Sequence, residues 1–402
     1  MIKRVRYFLL LSLVPLVASA QIDPARRDLI QLGYNAPLQG RAPLSGYAFF
    51  YHNYPGFLRT NLTLRVAVAP VYLDSELGIS HILDDNTDLG IGLAGGGFAD
   101  RYSEIRGGKY LPNESFTGHN AEASVSVYHL FNPRQEIPLN LVVRGSVHHS
   151  FYERDDETDP AFQIPDDRTT FAVRTGLRWG GIEPTLFPSL AMELSAWYEG
   201  SFRTPAGPYG FAGDQRVVQS SSHLFWAQAL LAYTMPECKH SFYLSVKGGA
   251  SIDADRFSAY RLGALLPLAA EFPLSLPGYY YQELSAKGFV LAGGNYFVPL
   301  DANRRWSVGG TAATAYVDYL PGTEQAGRWH SGVGAGVLYR SPKDTTKIMI
   351  SYGYGIDAIR TRGRGAHSVG ILLQVDLAQA RERLLDPENA NRWRGWQILF
   401  GS

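Results

Sequence analysis

The strongest constraint on the fold is an alternation of apolar and polar residues with a period of two, which runs from about residue 28 to Leu377. It is cleanest near residue 350, where the apolar parity holds Ile348, Ile350, Tyr352, Tyr354 and Ile356. The same pattern recurs over residues 171–179, 190–199, 242–247 and 369–377. Successive side chains of a β-strand point to opposite faces, so the pattern predicts strands with one apolar and one polar face. The chain is therefore predicted to be all-β.

The polar positions indicate a membrane barrel. A soluble sandwich turns its polar face to bulk water, whereas here these positions hold mostly Gly, Ser, Asn and Tyr with single charges. Aromatic residues lie near the segment ends: Trp179, Tyr198, Tyr233, Tyr316, Tyr339 and Tyr354. This arrangement favours an apolar band facing lipid, aromatic girdles and a polar lumen. Lipid forbids open sheet edges, so the strands are predicted to close into a transmembrane antiparallel barrel. A secreted soluble all-β protein is the alternative.

About sixteen strand segments are expected, near residues 28–36, 46–53, 61–72, 75–83, 88–98, 118–130, 137–151, 169–180, 188–200, 221–234, 239–252, 286–300, 303–319, 329–340, 346–357 and 366–377. Long connections at 99–117, 152–168, 201–220 and 253–285 alternate with short ones, such as 235–238, where Cys238 is expected to be inert. Long loops on one side and tight turns on the other are typical of outer-membrane barrels, with the long side extracellular. The longest loop, 253–285, is predicted to fold inward as a partial plug.

The two ends of the chain differ from the barrel segment, which is predicted to span 21–377. Residues 1–20 combine a basic start, an apolar stretch and Ala18-Ser19-Ala20, which is typical of a cleaved secretory signal peptide. Residues 378–402 are predicted to be a periplasmic tail that begins as a short helix and ends with Trp393, Trp396 and Phe400. This tail is expected at the bilayer interface, inside the lumen or weakly ordered.

Composition and motifs give no sign of an enzyme, a metal site or a cofactor. The sequence has no G-x-S-x-G, P-loop or H-E-x-x-H motif. The 37 basic residues balance the 37 acidic ones, so no basic excess favours nucleic acid. His148 shares the lumen parity with Ser146, and a polar lumen row is favoured over a catalytic Ser–His pair. The acidic loop 152–168 is expected to be solvated rather than to bind calcium.

Charged residues on two neighbouring strands are predicted to line the lumen. Arg174 and Arg178 share the inward parity of one strand, and Glu193 and Glu199 share that of the next. Opposite charges across neighbouring strands pair readily in a polar interior. These four side chains are therefore expected to form lumen ion pairs.

Several features of the second half resemble one known group of barrels. Residues 256–284 (RFSAYRLGALLPLAAEFPLSLPGYYYQEL) lie between the eleventh and twelfth predicted strands and are similar to a long sixth extracellular loop. Tyr316-Val317-Asp318 is similar to an F-x-D motif, and residues 331–377 resemble three closing strands. Residues 240–377 thus resemble the barrel of the outer-membrane insertase and translocase superfamily, the BamA/TamA type or bacterial surface antigen domain. The chain is expected to be a barrel-only member without POTRA domains.

The resemblance implies a contact between the loop and the lumen wall. In the family a loop arginine reaches toward the F-x-D motif, but here Pro277 stands before Gly278-Tyr279. Arg261 is the candidate substitute for that arginine. The residues expected to form the contact are Arg261, Gly263, Gly278, Tyr279 and Asp318.

The function implied by the resemblance is insertion or translocation of polypeptide at the outer membrane of a Gram-negative bacterium. A client or passenger polypeptide and outer-membrane lipid are the expected partners, and nucleic acid is not. The path is expected to be the lumen or a weakly paired seam between the first and last strands. A passive porin-like channel for small solutes is the main alternative, and a surface protein acting through its long loops is another.

Overall fold

A computed structural model describes residue 23 and residues 25–361 and 363–380. Sixteen strands form a closed antiparallel barrel: β1 (Arg27–Pro37), β2 (Gly46–Pro55), β3 (Leu62–Ala69), β4 (Tyr72–Asp84), β5 (Thr87–Gly96), β7 (Lys109–Leu130), β8 (Leu139–Glu153), β9 (Arg168–Gly181), β10 (Leu190–Arg203), β13 (Ser221–Thr234), β14 (Ser241–Ile252), β16 (Leu284–Pro299), β17 (Trp306–Tyr319), β18 (Trp329–Arg340), β19 (Thr346–Arg360) and β20 (Gly363–Asp376). Four short strands lie in the connections: β6 (Tyr102–Arg106), β11 (Tyr209–Phe211), β12 (Asp214–Arg216) and β15 (Tyr260–Leu262). The predicted all-β class and strand number are confirmed.

A single helical turn over residues 377–380 follows the last strand in the described part of the chain. No helix among the described residues is long and apolar enough to cross a membrane. The predicted signal peptide and residues 381–402 of the predicted tail lie outside the described residues.

The barrel closes between its first and last strands. β1 pairs with β2 on one side and with β20 on the other, from Leu29 opposite Asp376 to Pro37 opposite Ser368. That seam joins nine residue pairs, compared with six between β2 and β3. The seam is therefore not the shortest interface, contrary to the weak pairing expected there. A ring without free edges satisfies every strand's backbone, as lipid requires.

The outer face is apolar along the predicted parity. Ile350, for example, leaves 61% of its surface exposed, and Leu194 and Leu244 are similarly exposed. Two aromatic pairs mark the limits of this band on β17 and β18: Trp306 with Tyr339, and Tyr316 with Trp329. Ten residues of strand separate them, which is roughly 33 Å along the strand and about 25 Å along the barrel axis at the usual tilt. That height matches the lipid-facing band of outer-membrane barrels.

The two ends of the barrel differ as predicted. Five of the seven connections at one end are short turns of two to six residues, such as 85–86 and 341–345. At the other end, called the long-loop end, the connections after β5, β8, β10 and β14 are long. A cluster of aromatic side chains packs over this end and includes Tyr102, Phe116, Phe162, Tyr209 and Phe257. The long loops therefore fold over the mouth of the barrel.

Candidate functional site

The connection between β14 and β16, residues 253–283, enters the barrel and is here called the plug loop. It starts with β15, which pairs with the first residues of β16. Leu262, Leu276 and Tyr279 of the plug loop are fully buried against inner-wall side chains of β13, β16, β17, β19 and β20. The predicted inward fold of the longest loop is thus present in the structure.

The first anchor of the plug loop is Glu271, which reaches β9. Its carboxylate accepts hydrogen bonds from Arg174 at 3.0 Å and Arg178 at 2.9 Å. Burial alone would raise the pKa of the Glu271 carboxyl, but the two guanidinium groups outweigh it and hold that pKa below its ordinary value. The neighbouring Phe272 packs between the rings of Trp197 and Trp226. An ion pair and an aromatic slot therefore fix this part of the loop.

The predicted lumen charges lie on the inner face, and one of the expected wall pairs forms. Arg178 approaches Glu193 at 3.5 Å. Arg174 stands opposite Glu199 in the strand register, but its hydrogen bond goes to Glu271 of the plug loop. Sequence reasoning paired wall with wall because it had no way to place a loop carboxylate between the two arginines.

The second anchor is the close packing of Pro277, Gly278 and Tyr279 against β18 and β19. Gly278 has a φ of +83°, and a Cβ there would overlap the backbone nitrogen of Gly355. The Tyr279 hydroxyl lies 3.1 Å from Nδ1 of His330, whose other ring nitrogen contacts the hydroxyl of Tyr319. Glycine is required here because the backbone is left-handed and in contact with the wall.

The third anchor is a buried ion pair that sequence reasoning missed. Arg360 of β19 donates two parallel hydrogen bonds, both 2.8 Å, to the carboxylate of Glu283 at the end of the plug loop. The Arg360 guanidinium also lies 3.6 Å from the centre of the Tyr280 ring, and the Tyr280 backbone N–H donates to Glu283. Paired, planar geometry of this kind is the strongest form of side-chain hydrogen bonding. The sequence signal was weak: an arginine close to the end of a predicted strand segment, with nothing to indicate its partner.

Two predicted contact residues, Arg261 in β15 and Gly263 directly after it, lie in the first part of the plug loop, near the long-loop end. Arg261 donates to the carbonyl of Ser103 and stacks on Tyr102 in the hairpin of β6 and β7. Gly263 packs against the Tyr280 backbone, so a side chain there would not fit. Arg261 thus joins the plug loop to the long-loop end and does not replace the family's arginine.

Asp318 does not take part in the predicted contact. Its neighbour Val317 is fully buried on the inner face, so Asp318 points outward, 40% exposed, toward Lys287 at 3.3 Å and Arg328 at 3.7 Å. The prediction that Asp318 meets the loop is wrong. Its reason is physical: the inner face of β17 is apolar where it packs against the plug loop, so the polar residue lies outside.

A buried ionic network holds the cover at the long-loop end. Glu104 is fully buried and lies 3.2 Å from Arg256 of the plug loop and 3.6 Å from Arg216. Arg216 also pairs with Glu114. The tip of the β6–β7 hairpin crosses the mouth as far as Ile359 of β19, where Gly108 meets its backbone. The mouth is therefore closed by elements that rest on the plug loop.

His148 has carboxylates on both sides. Its Nε2 lies 2.7 Å from Asp100, and its Nδ1 lies 3.3 Å from Glu122. Ser150 donates to the same Asp100 at 2.5 Å, so the hydroxyl is held by the carboxylate. Ser146, which shares the lumen parity with His148, is not in this cluster. Nε2 of His148 also lies 3.2 Å from the Ser150 hydroxyl, but that hydroxyl donates its proton to Asp100. The proton is therefore not directed at the imidazole, as it would be in a nucleophile–base pair.

The acidic loop after β8 uses several of its carboxylates in protein contacts. Asp155 accepts from Thr117 and pairs with Arg101 at 3.2 Å, and Asp167 accepts from the Tyr152 backbone. Among the described residues, no group of three or more His, Cys, Asp or Glu side chains is arranged to hold a metal ion. The expectation of a simply solvated loop is wrong for these carboxylates.

A cavity of about 1120 Å³ remains between the plug loop and the inner wall, where it is lined by β1 to β4, β13, β14 and β16 to β20. It extends from Val71 and Phe98 at the long-loop end to residues 182–188 at the short-turn end. Most of its lining is apolar or aromatic, including Tyr47, Phe49, Leu230, Tyr243, Leu268 and Phe297. This corrects the expectation of a polar lumen, because the space beside the plug loop is mainly apolar.

Three solved structures share this barrel fold. CdiB from Acinetobacter baumannii has a TM-score of 0.55 and 11% identity over 87% of this chain and 60% of that chain. CdiB from Escherichia coli has a TM-score of 0.56 and 13% identity over 88% and 63%. The crystal structure of BamA from Haemophilus ducreyi lacking POTRA domains 1-3 has a TM-score of 0.53 and 12% identity over 87% and 70%.

The chain spans less than two thirds of the length of either CdiB chain. A scan against protein-family models and a search of curated proteins found no match. Together with the closed ring and its apolar outer band, the structural likeness gives the fold and the location. The protein is an outer-membrane β-barrel of the Gram-negative type, with the barrel fold of the BamA and CdiB structures.

Proposed function

We propose that this barrel inserts polypeptide into the outer membrane or moves it across, with the plug loop as the element that is displaced. The observation that carries the proposal is the plug loop itself, which occupies part of the lumen and is held by non-covalent anchors at Glu271, Gly278 and Glu283. The shared fold and the family resemblance of residues 240–377 support it.

The lining of the cavity favours polypeptide over small hydrated solutes. Hydrated solutes pass through lumens lined by polar and charged groups, as in porins. An apolar and aromatic lining instead accommodates the mixed side chains of an unfolded segment, because apolar surface is stabilised by leaving water. The client segment is expected to enter from the short-turn end and to displace the plug loop from its anchors.

The displacement needs no covalent step. Each anchor is an ion pair or a packing contact, so a client that supplies equivalent contacts shifts the equilibrium between seated and released loop. Arg174 and Arg178 would exchange Glu271 for a carboxylate or carbonyl of the client. Because the seam joins nine residue pairs, the lumen is the proposed path.

A planar-bilayer experiment separates this proposal from a passive porin. The wild-type protein is expected to show small, irregular openings, and the Glu271→Gln and Glu283→Gln double variant to open for longer. An unfolded, carboxymethylated protein added to one side should then block the open current of the double variant in discrete events. Steady, large conductance of the wild type, together with uptake of sucrose by liposomes, would establish the porin instead.

The third possibility, a surface protein that acts through projecting loops, fits the geometry less well. Phe162 and Tyr209, from two of the long loops, are buried in the aromatic cluster over the mouth. Loops packed in this way cover the barrel and leave little free loop for a partner.

A further inference from the structure

The connection between β9 and β10, residues 182–189, lies across the lumen and is here called the strap. β9 and β10 are the eighth and ninth barrel strands, while the seam strands β1 and β20 are the first and last. The strap nevertheless contacts side chains of β1, β19 and β20. A connection at the short-turn end therefore joins opposite sides of the ring.

Three buried wall side chains hold the strap by its main chain. Gln31 of β1 donates to the carbonyl of Pro184 at 2.8 Å. Gln374 of β20 accepts from the Leu186 N–H at 2.7 Å, and Lys347 of β19 donates to the Leu186 carbonyl at 3.0 Å. The residues Gln31, Gln374 and Lys347 are 1%, 3% and 7% exposed. These wall groups thus contact only backbone atoms of the strap.

Leu186 is the buried side chain of the strap, while Phe187 packs on Phe297 beside it and Glu183 pairs with Arg27 of β1 at 3.2 Å. Leu186 is buried in an apolar pocket formed by Leu266 of the plug loop and by the wall residues Phe297, Leu338, Met349 and Leu372. Main-chain hydrogen bonds with a pocket for a single side chain are how proteins recognise extended peptides of varied sequence. The pocket also links the strap to the plug loop through Leu266.

We propose that this inner face of β19, β20 and β1 is a binding site for an extended polypeptide segment with an aliphatic side chain, and that the strap occupies it in the resting barrel. This inference rests on the proposed function and names how the client is recognised. Gln31 also donates to Gln374 at 2.9 Å, and Lys347 lies 3.4 Å from Asp344. Departure of the strap still removes one buried main-chain partner from each of Gln31, Gln374 and Lys347, which is costly, so the strap leaves only when another main chain replaces it. A client segment offers the same carbonyl and N–H groups.

The tethered strap also sets a minimum local concentration that a client must reach before it can bind. Because it is part of the chain, its effective concentration at the site is high, and a dilute free peptide does not displace it. A client held near the short-turn end also has a high effective concentration at the site, so it can compete with the strap. Its binding removes Leu186 from the pocket that it shares with Leu266, and so loosens the plug loop.

Peptide binding to the purified full-length barrel in detergent tests the site. The probe is a fluorescein-labelled peptide of residues 182–189, IEPTLFPS, measured by anisotropy. Leu186→Asp, which expels the strap from its pocket, is expected to bind the probe at least tenfold more tightly than the wild type. Leu300→Asp, an equal charge on another connection at the same end, is expected to leave binding as in the wild type.

Two further changes identify the site. Adding Gln374→Ala and Lys347→Ala to Leu186→Asp should abolish the gain, and a peptide with Asp in place of its Leu should not bind. If Leu186→Asp does not fold, as judged by the gel mobility of the unheated protein, Leu186→Ser replaces it without adding charge. Binding that is unchanged by Leu186→Asp or Leu186→Ser, or that survives loss of Gln374 and Lys347, would overturn the inference.

The binding assay does not depend on transport. If the barrel binds the peptide specifically but behaves as a porin in bilayers, the proposed transport function is wrong and the proposed peptide site is correct. If unfolded protein blocks the current but the peptide does not bind specifically, the transport function stands and the peptide site is wrong.

Discussion

The inner wall of the barrel has two sides that differ in chemistry. On β13, β16 and β17, inner residues such as Leu224, Leu291 and Val317 are apolar and buried, and most of this side lies under the plug loop. On β3 and β4, inner residues are charged and pair with each other, as Arg65 does with Asp74 at 3.0 Å. The inner wall that packs against the plug loop is therefore mostly apolar, except where a charged group anchors the loop, as at Arg174, Arg178 and Arg360. The uncovered wall of β3 and β4 keeps its charged pairs.

The largest expected effect comes from breaking the third anchor of the plug loop, the ion pair of Glu283 with Arg360. Glu283→Ala leaves the Arg360 guanidinium buried without its partner, which is expected to lower the free energy of unfolding by ~3–5 kcal/mol. Asp318→Ala, which removes a carboxylate on the outer face of the same region, should cost ~1 kcal/mol or less because that pair is exposed. Urea unfolding in lipid vesicles, followed by tryptophan fluorescence, measures both. Equal losses would contradict the burial contrast.

A second change tests the close contact between plug loop and wall. Gly278→Ala and Gly56→Ala both place a Cβ at a left-handed backbone, at φ values of +83° and +77°. Only Gly278 has wall backbone in the way, since nothing lies within 4 Å of a Cβ at Gly56. Gly56→Ala should cost about 1–2 kcal/mol for the backbone alone, and Gly278→Ala about 1–3 kcal/mol more for the overlap. Similar costs in the same unfolding assay would show that the loop is not seated there.

The third effect is a pH dependence at Glu271. Its depressed pKa means that the carboxylate stabilises the seated loop above the ordinary glutamate value and loses this contribution only as pH falls through the lower folded value. Bilayer openings should therefore be alike at pH 7 and pH 5 and more frequent below about pH 4. Glu271→Gln should open more often at all three values. Glu199→Gln, which removes a wall carboxylate opposite Arg174, is the control and should keep the wild-type profile.

The smallest effect is expected on the unplugged side. Arg65→Ala removes a partly exposed wall pair, so the free energy of unfolding should change by less than ~1 kcal/mol. The residual current should shift toward cation selectivity because Asp74 and Glu76 keep their charge. Reversal potentials in a salt gradient measure this shift, and a large loss of stability would contradict the contrast between the two sides.

The barrel could be predicted because lipid imposes one rule on every strand. Alternation with an apolar parity located all sixteen strands, and the outward exposure of Phe171, Leu177 and Ile350 follows it. The long loop between the eleventh and twelfth strands was also placed correctly inside the barrel. These features depend on local periodicity and loop length, which are visible in the sequence.

The site was predicted less well because its contacts join distant segments. Asp318 was placed in the lumen because Tyr316-Val317-Asp318 resembles the family's F-x-D motif, and a motif match does not say which face of the strand is inside. The pairing of Glu283 with Arg360 joins residues 77 positions apart. The contact of Leu186 in the strap with Gln374 joins residues 188 positions apart. The alternation of apolar and polar residues along the chain carries no information about such long-range contacts.

The account depends most on the position of the plug loop inside the closed barrel. Ala270→Cys in a Cys238→Ser background can be tested in intact cells with a maleimide on a large polyethylene glycol, which is too wide for the covered mouth. Gly213→Cys, in the open turn between β11 and β12, serves as the accessible control. The account predicts rapid labelling at position 213 and labelling at position 270 only after denaturation. Equal labelling of both positions in intact cells would show that the loop lies outside the lumen.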